Sequence, residues 1–207
     1  PETCSEGPVE HLIKSENDLP AYRWLYEHTH WEADYSYAHQ RLEDIEDMGI
    51  LLCYLPKSPF MQMVALDAGI MAVTFAEMNA PDEFAETLDV VKKSFDKAAQ
   101  IAVESPAEVL MIPENLSSEM VGPSYFEKHM RGYQEEWTRK ITDAGKYSFI
   151  HMDGTLRGLL KEEASVGFSV IEAMTPEPVG DLSIHQWADV ADNPNTILWG
   201  GIPGSYF

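Results

Sequence analysis

The sequence contains little cysteine. Only two cysteines, Cys4 and Cys53, occur in 207 residues, so a disulfide-bonded framework is not expected. Cys53 lies inside the apolar run ILLCYL at 50–55, where a thiol is typically a small buried side chain. The cysteine content therefore argues against both a disulfide scaffold and a cysteine nucleophile.

Basic residues are also scarce. The chain has 14 Lys and Arg against 35 Asp and Glu, a formal net charge of −21. Such a surface repels phosphate backbones and anionic membranes, so we expect neither nucleic acid nor membrane as a partner. A local pocket can still bind a small anion. We expect a small-molecule substrate, and the sequence leaves the oligomeric state open.

Long apolar runs and targeting segments are not visible. No apolar stretch approaches the roughly 20 residues that span a bilayer, and the N-terminal PETCSEGPVEH has no basic segment followed by an apolar one. The sequence starts without Met, so the true N-terminus can lie elsewhere. A cytoplasmic location is the default expectation.

Short apolar runs alternate with helical patterns from residue 50 onward. Helical spacing is clearest over 83–104 and 123–144. The apolar runs are 50–55, 108–112, 146–150, 167–174 and 195–202. This alternation predicts a parallel α/β sheet, either an open doubly wound sheet or a (β/α)8 barrel. No nucleotide-binding glycine motif follows any run, which disfavours the open sheet.

The organisation is predicted to be a single domain over 1–207. Residues 1–49 form a helical lead-in and 50–207 form the βα units. Five strands are too few for a complete barrel, so part of the barrel is expected outside this chain. Within the lead-in, HTHWEAD places His28, His30, Glu32 and Asp34 at alternating positions. A solvated segment between helices is favoured there over a metal site.

Polar residues follow the predicted strands, where parallel α/β folds bind ligands. Glu114 and Asn115 follow the second run, His151 and Asp153 the third, and Glu172 lies near the end of the fourth. Three carboxylates around one imidazole could bind a divalent cation or tune one another for proton transfer. The alternative is that these residues have only structural roles, with Glu114 and Asn115 as ordinary loop residues.

A helix is predicted to begin near residue 155. Asp153 or Thr155 could simply cap it. Arg157 would then lie in its first turn, where it could bind a carboxylate or phosphate of the substrate. Pairing of Arg157 with a surface glutamate is the alternative.

Three segments carry a resemblance to a known family. VLMIPENLSSEMVGPSYFEKHMRGYQEEW, FIHMDGTLRGLL and VIEAMTPEPVGDLSIHQWADV with ILWGGIPG resemble the uroporphyrinogen decarboxylase superfamily. They are closest to its decarboxylase-like and corrinoid-linked methyltransferase branch. The similarity covers roughly residues 50–204 and implies a (β/α)8 barrel with its site at the C-terminal mouth. It also implies that the N-terminal strands, the catalytic aspartate of true decarboxylases and the C-terminal end are missing from this chain.

The resemblance implies two activities. The methyltransferases bind zinc through H-x-C and a later cysteine, whereas the decarboxylases use no metal. His151 occupies the histidine position, but Asp153 replaces the cysteine and no later cysteine follows. Thiolate is the more zinc-selective ligand. A site of His151 and Asp153 would therefore bind a harder divalent metal, or bind the metal more weakly.

We therefore expect an enzyme of methyltransferase type that acts on a small methylated or corrinoid-borne substrate, with a corrinoid protein as a possible partner. His151, Asp153 and Glu172 are the expected catalytic residues, and Glu114, Asn115 and Arg157 are expected to bind substrate. The alternatives are uroporphyrinogen decarboxylation in porphyrin and haem biosynthesis, a lyase activity, and a catalytically decayed barrel that binds a ligand.

Overall fold

The computed structural model describes residues 9–201. Contacts divide the chain into two compact units, one from the described part of Pro1–His30 with Pro59–Ser94 and the other from Trp31–Ser58 with the described part of Phe95–Phe207. The prediction of a single domain stays a prediction.

The first unit is helical. Its helices are α1 (Leu19–Glu27), α3 (Pro59–Gln62), α4 (Ile70–Asn79) and the beginning of α5 (Pro81–Glu104), with a 3-10 turn at Glu16–Asp18 and a π-helical turn at Met63–Asp67. The carboxylate of Asp67 accepts hydrogen bonds from the hydroxyl of Tyr22 at 2.6 Å and from Nε2 of Gln62 at 2.9 Å. These bonds satisfy a buried carboxylate.

The second unit contains a five-stranded parallel sheet. Its strands are β1 (Leu52–Tyr54), β2 (Val109–Leu116), β3 (Tyr147–Met152), β4 (Val170–Met174) and β5 (Ile197–Gly200). The order in the sheet is the order in the chain, and every neighbouring pair is parallel. An open doubly wound sheet would reverse its order at a switch point. The fold is therefore that of part of a (β/α)8 barrel, which confirms the predicted class.

Helices alternate with these strands. They are α2 (Ser36–Ile45), the end of α5, α6 (Pro123–Tyr125), α7 (Arg131–Asp143), α8 (Leu160–Ala164) and α9 (Trp187–Ala191), with a π-helical turn at Phe126–Met130 and a 3-10 turn at Ile184–Gln186. On α7, Tyr133, Trp137 and Ile141 are buried, so the apolar residues with helical spacing in 123–144 form the packed face of this helix. Among residues 9–201, no helix is long and apolar enough to cross a membrane.

The segment between α1 and α2 has no regular structure. His28, His30, Glu32 and Asp34 are all exposed. Within the described chain, no group of three His, Cys, Asp or Glu side chains could hold a metal ion. The prediction of a solvated segment is confirmed.

The two faces of the sheet are buried differently. Val109, Met111, Phe149 and Val170 form a core cluster on one face, with Leu52 packed against it. On the opposite face, Leu110, Ile112, Ile150 and Ile171 are completely buried. Side chains alternate between the faces along each strand. Near the end of a strand, odd and even positions therefore place their side chains on different faces of the sheet, one of them completely buried.

Candidate active site

His151 and Glu172 form a pair at the ends of two neighbouring strands. They are directly paired in the register of β3 and β4, and Nδ1 of His151 contacts Oε1 of Glu172. Their side chains are 29% and 20% exposed. A carboxylate only accepts hydrogen bonds, so we assign the proton to Nδ1. Nε2 then remains available to exchange a proton with a ligand.

Both strands that carry acidic side chains are irregular at these side chains. The register of β2 shifts between Ile112 and Leu116, and that of β4 shifts between Ile171 and Met174. The residue after each acid, Asn115 after Glu114 and Ala173 after Glu172, has a positive φ, of 56° and 64°. A bulge of this kind redirects a side chain at the end of a strand. The backbone bulges therefore orient both carboxyl groups, and the positive φ of the following residue is a strained conformation in each case.

Glu114 is completely buried. The backbone N–H of Ser58 donates to both of its carboxyl oxygens at 3.1 Å. Burial raises the pKa of Glu114 to about 7, against the lowering effects of Ser58, Lys57 and Gln134. Glu114 can therefore change protonation near neutral pH.

Lys57 lies between two acidic groups. It is buried, and its Nζ donates to the carbonyl of Pro113. Burial lowers the pKa of Lys57, whereas the charges of Glu114 and Asp153 act to raise it. Asp153 itself is exposed, and its backbone N–H donates to the carbonyl of Leu116 at 2.9 Å. Lys57 thus interacts electrostatically with both the buried Glu114 and the exposed Asp153.

The hydroxyl of Thr155 joins the loops after β2 and β3. It lies 3.0 Å from Oγ of Ser117, accepts from Oγ of Ser118 at 2.9 Å, and accepts from the N–H of Glu119 at 3.1 Å. The N–H of Gly154 donates to Oγ1 of Thr175 after β4, at 3.3 Å. The loops after three consecutive strands are therefore tied together.

The predicted helix near residue 155 is wrong. The first helix after β3 begins at Leu160, because the backbone N–H groups of Leu156 and Arg157 donate instead to the carboxylate of Asp181, at 2.7 and 3.1 Å. Arg157 is exposed outside any helix, and its guanidinium donates to the carbonyl of Asp181 at 3.0 Å. Substrate binding by Arg157 stays a prediction.

Comparison with known proteins decides the family. Residues 56–193 match the model of the uroporphyrinogen decarboxylase (URO-D) family, which is more than half of the chain. The chain belongs to the uroporphyrinogen decarboxylase family. A search of curated proteins gives no match.

A solved structure supports the same fold. A methyltransferase from Methanosarcina mazei matches with a TM-score of 0.54 at 15% sequence identity. The match covers 77% of this chain and 55% of the methyltransferase chain. The chain therefore spans about half the length of that structure, and at this identity the likeness concerns the fold alone.

The URO-D fold distributes the predicted site residues over two environments. His151 and Glu172 continue the face that carries Met111 and Phe149, and they remain partly exposed. Glu114 is sealed from solvent, so it does not line an opening with them. Asn115 is exposed, and its role in substrate binding stays a prediction.

The donor set does not fit the zinc site of a thiol-activating methyltransferase. Asp153 stands at the position where the related motif has cysteine, and no cysteine follows Cys53. His151 already contacts Glu172 through Nδ1, and the described residues provide no group of three ligating side chains. A metal on His151 and Asp153 stays a prediction.

Proposed function

We propose that this URO-D family chain belongs to an enzyme in which His151 exchanges a proton with a small substrate during group transfer. The contact between His151 and Glu172 carries the proposal. A carboxylate on Nδ1 orients an imidazole and stabilises the imidazolium that forms when Nε2 takes a proton. General acid–base groups placed in this way contribute about 10²–10⁴-fold to a rate.

The favoured reaction is transfer of a methyl group from a small methylated substrate. The bond between the methyl carbon and a heteroatom breaks, and its electron pair stays on the heteroatom. Nε2 of His151, after taking a proton from solvent, donates that proton to the heteroatom, while a corrinoid supplied by a partner protein would provide the electron pair for the new bond to the methyl carbon. The related fold of a methyltransferase supports this choice.

Two neighbours of this site can interact with the polar part of a substrate. Asp153 is exposed at the end of β3, and Lys57 supplies a positive charge close to it. Asn115 near the end of β2 and Arg157 on the loop after β3 are exposed. We propose that these side chains select a substrate with both a charged and an apolar part, since Phe149 and Val170 adjoin the pair on the same face.

Decarboxylation is the second candidate, and the family match favours it. Here the bond to a substrate carboxyl carbon breaks, CO₂ leaves, and the resulting carbanion takes the proton that Nε2 of His151 has first accepted from solvent. The same side chains would serve this reaction. The substrate therefore distinguishes the two candidates.

The test measures turnover with two substrate sets: small methylated compounds with a corrinoid protein as acceptor, and uroporphyrinogen with smaller carboxylates. We expect His151→Gln to reduce turnover at least 10²-fold, with a smaller loss for Glu172→Gln. The matched control is His185→Gln, because His185 is exposed on another segment. Equal activity of His151→Gln and the unmodified protein would overturn the proposal. Inactivity toward both sets would favour a ligand-binding barrel.

A further inference from the structure

Three completely buried polar side chains of the second unit interact with one another electrostatically. They are Glu114 on β2, Gln134 on α7 and Glu163 on α8. Among residues 9–201, neither carboxyl oxygen of Glu163 and neither polar atom of Gln134 has a hydrogen-bond partner of normal geometry. Leaving such groups unsatisfied destabilises the folded state, because their hydrogen bonds to water are lost without replacement. Their burial therefore requires an explanation.

Gln134 interacts with both carboxyl groups. Burial raises the pKa of Glu163 well above its ordinary value, and the charge of Glu114 raises it further. The carboxamide of Gln134 acts against burial at both Glu114 and Glu163. The three side chains are thus within electrostatic reach of one another, although the carboxamide falls short of normal hydrogen-bond geometry toward either carboxyl group.

The surroundings decide which carboxyl group carries the charge. Two carboxylates buried this close cannot both ionise without compensation. Glu114 receives the N–H of Ser58 and the nearby positive charge of Lys57. No such donor reaches Glu163 in the described chain.

Two polar side chains of α7, Arg131 and Tyr133, make their hydrogen bonds and ion pairs with groups other than Glu163. Arg131 acts on Glu163 through its charge, but its guanidinium binds Glu127, Glu135 and the hydroxyl of Ser165. The hydroxyl of Tyr133 donates to the carbonyl of Pro56 at 3.1 Å. In the described part of the chain, Glu163 is therefore left without a hydrogen bond that would stabilise its negative charge.

We propose that Glu163 is a neutral carboxylic acid whose hydroxyl donates to Oε1 of Gln134, while Nε2 of Gln134 donates to the carboxylate of Glu114. This relay gives all three side chains hydrogen-bond partners. Glu163 is thus a positioning residue that acts on Glu114 through Gln134. Any consequence for catalysis rests on the proposed function, whereas the relay itself does not.

Infrared spectroscopy of protein labelled with ¹³C-glutamate tests the protonation state. The spectrum is recorded at about two pH units above the pKa of Glu114, which is about 7, so that Glu114 is ionised. We expect one protonated carboxyl band that disappears in Glu163→Gln. The matched control is Glu162→Gln, at the neighbouring and less buried position, which keeps the band. Absence of the band in the unmodified protein, or its persistence in Glu163→Gln, would overturn the proposal.

A second measurement separates the relay from a purely structural role. The titration midpoint of Glu114 is followed by carboxyl NMR in Glu163→Gln and Glu163→Leu. Glutamine keeps an N–H donor for Gln134, so the midpoint stays unchanged. Leucine removes the donor and frees Gln134 to turn, so the midpoint rises by roughly one unit. Equal midpoints in both variants would contradict the relay. Neither measurement requires turnover, so the relay can fail independently of the proposed function.

Discussion

The backbone N–H of Ser58 donates to both carboxyl oxygens of Glu114, at 3.1 Å each. Ser58 follows β1 and Glu114 lies near the end of β2, so the contact joins two neighbouring strand ends. The hydrogen bonds from Ser58 and the charge of Lys57 do not compensate for complete burial of a carboxylate. Burial consequently raises the pKa of Glu114 to about 7.

This pKa predicts how stability depends on pH. The pKa of Glu114 rises from 4.5 to about 7 on folding, so between these values the folded state binds more protons than the unfolded state. The free energy of unfolding therefore falls as pH rises through that window. The contribution lost by pH 8 is about 3 kcal/mol. Glutamine does not ionise, so Glu114→Gln should not lose this contribution. Denaturant unfolding at several pH values should show its free energy of unfolding rising by this amount, relative to that of the unmodified protein, as pH increases through the window.

The control for this experiment is Glu119→Gln. Glu119 is exposed on the loop after β2, so its replacement should leave the pH dependence of unfolding unchanged. If Glu114→Gln and Glu119→Gln gave the same pH dependence, Glu114 would not be the group that links protonation to folding.

Gly180 permits the close approach of two loops. A Cβ atom at Gly180 would lie 2.0 Å from the carbonyl oxygen of Thr175 and 3.0 Å from that of Gly154. We expect Gly180→Ala to lower the free energy of unfolding by at least 1–3 kcal/mol, roughly the cost of overpacking.

Gly132→Ala is the matched control, because nothing lies within 4 Å of its added methyl group. It lies in α7, where alanine should raise the free energy of unfolding by about 0.5–1 kcal/mol. Thermal or denaturant unfolding of both variants checks the prediction. Similar effects of the two substitutions would mean that the loops are not packed as described.

Ala173 lies in the bulge of β4 and has a left-handed backbone conformation. Its φ of 64° is unfavourable for an L-amino acid by roughly 1–2 kcal/mol. Ala173→Gly should therefore raise the free energy of unfolding by a few tenths to about 1 kcal/mol. Ala188→Gly in α9 should lower it by about 0.5–1 kcal/mol. A destabilising effect of Ala173→Gly would contradict the bulge beside Glu172.

The sequence was sufficient to predict the class of the fold. Alternating apolar runs and amphipathic stretches fixed the parallel βα order, because buried strands and one-sided helices have different periodicities. The meeting of His151 with Glu172 followed from the same reasoning, since parallel strands end at one edge of the sheet. The predicted helix beginning near Thr155 was wrong because Asp181, distant in the sequence, takes the backbone donors.

The irregularities of the strands could not be predicted from local pattern. Positive φ at Asn115 and Ala173 depends on register with the neighbouring strands, for which the sequence gives no local signal. The grouping of Glu114 with Gln134 and Glu163 requires knowing how α7 and α8 pack on the sheet. A buried Glu163 within α8 resembles a surface residue until its neighbours are known.

The most direct test of the account is the protonation of His151, read from the ¹⁵N resonances of its neutral imidazole. Glu172 on Nδ1 predicts that Nδ1 carries the proton and that Nε2 is free. Glu172→Leu should remove this preference and populate the other tautomer. A proton on Nε2 in the unmodified protein, or identical spectra with and without Glu172, would contradict the central claim that this pair presents Nε2 for proton exchange.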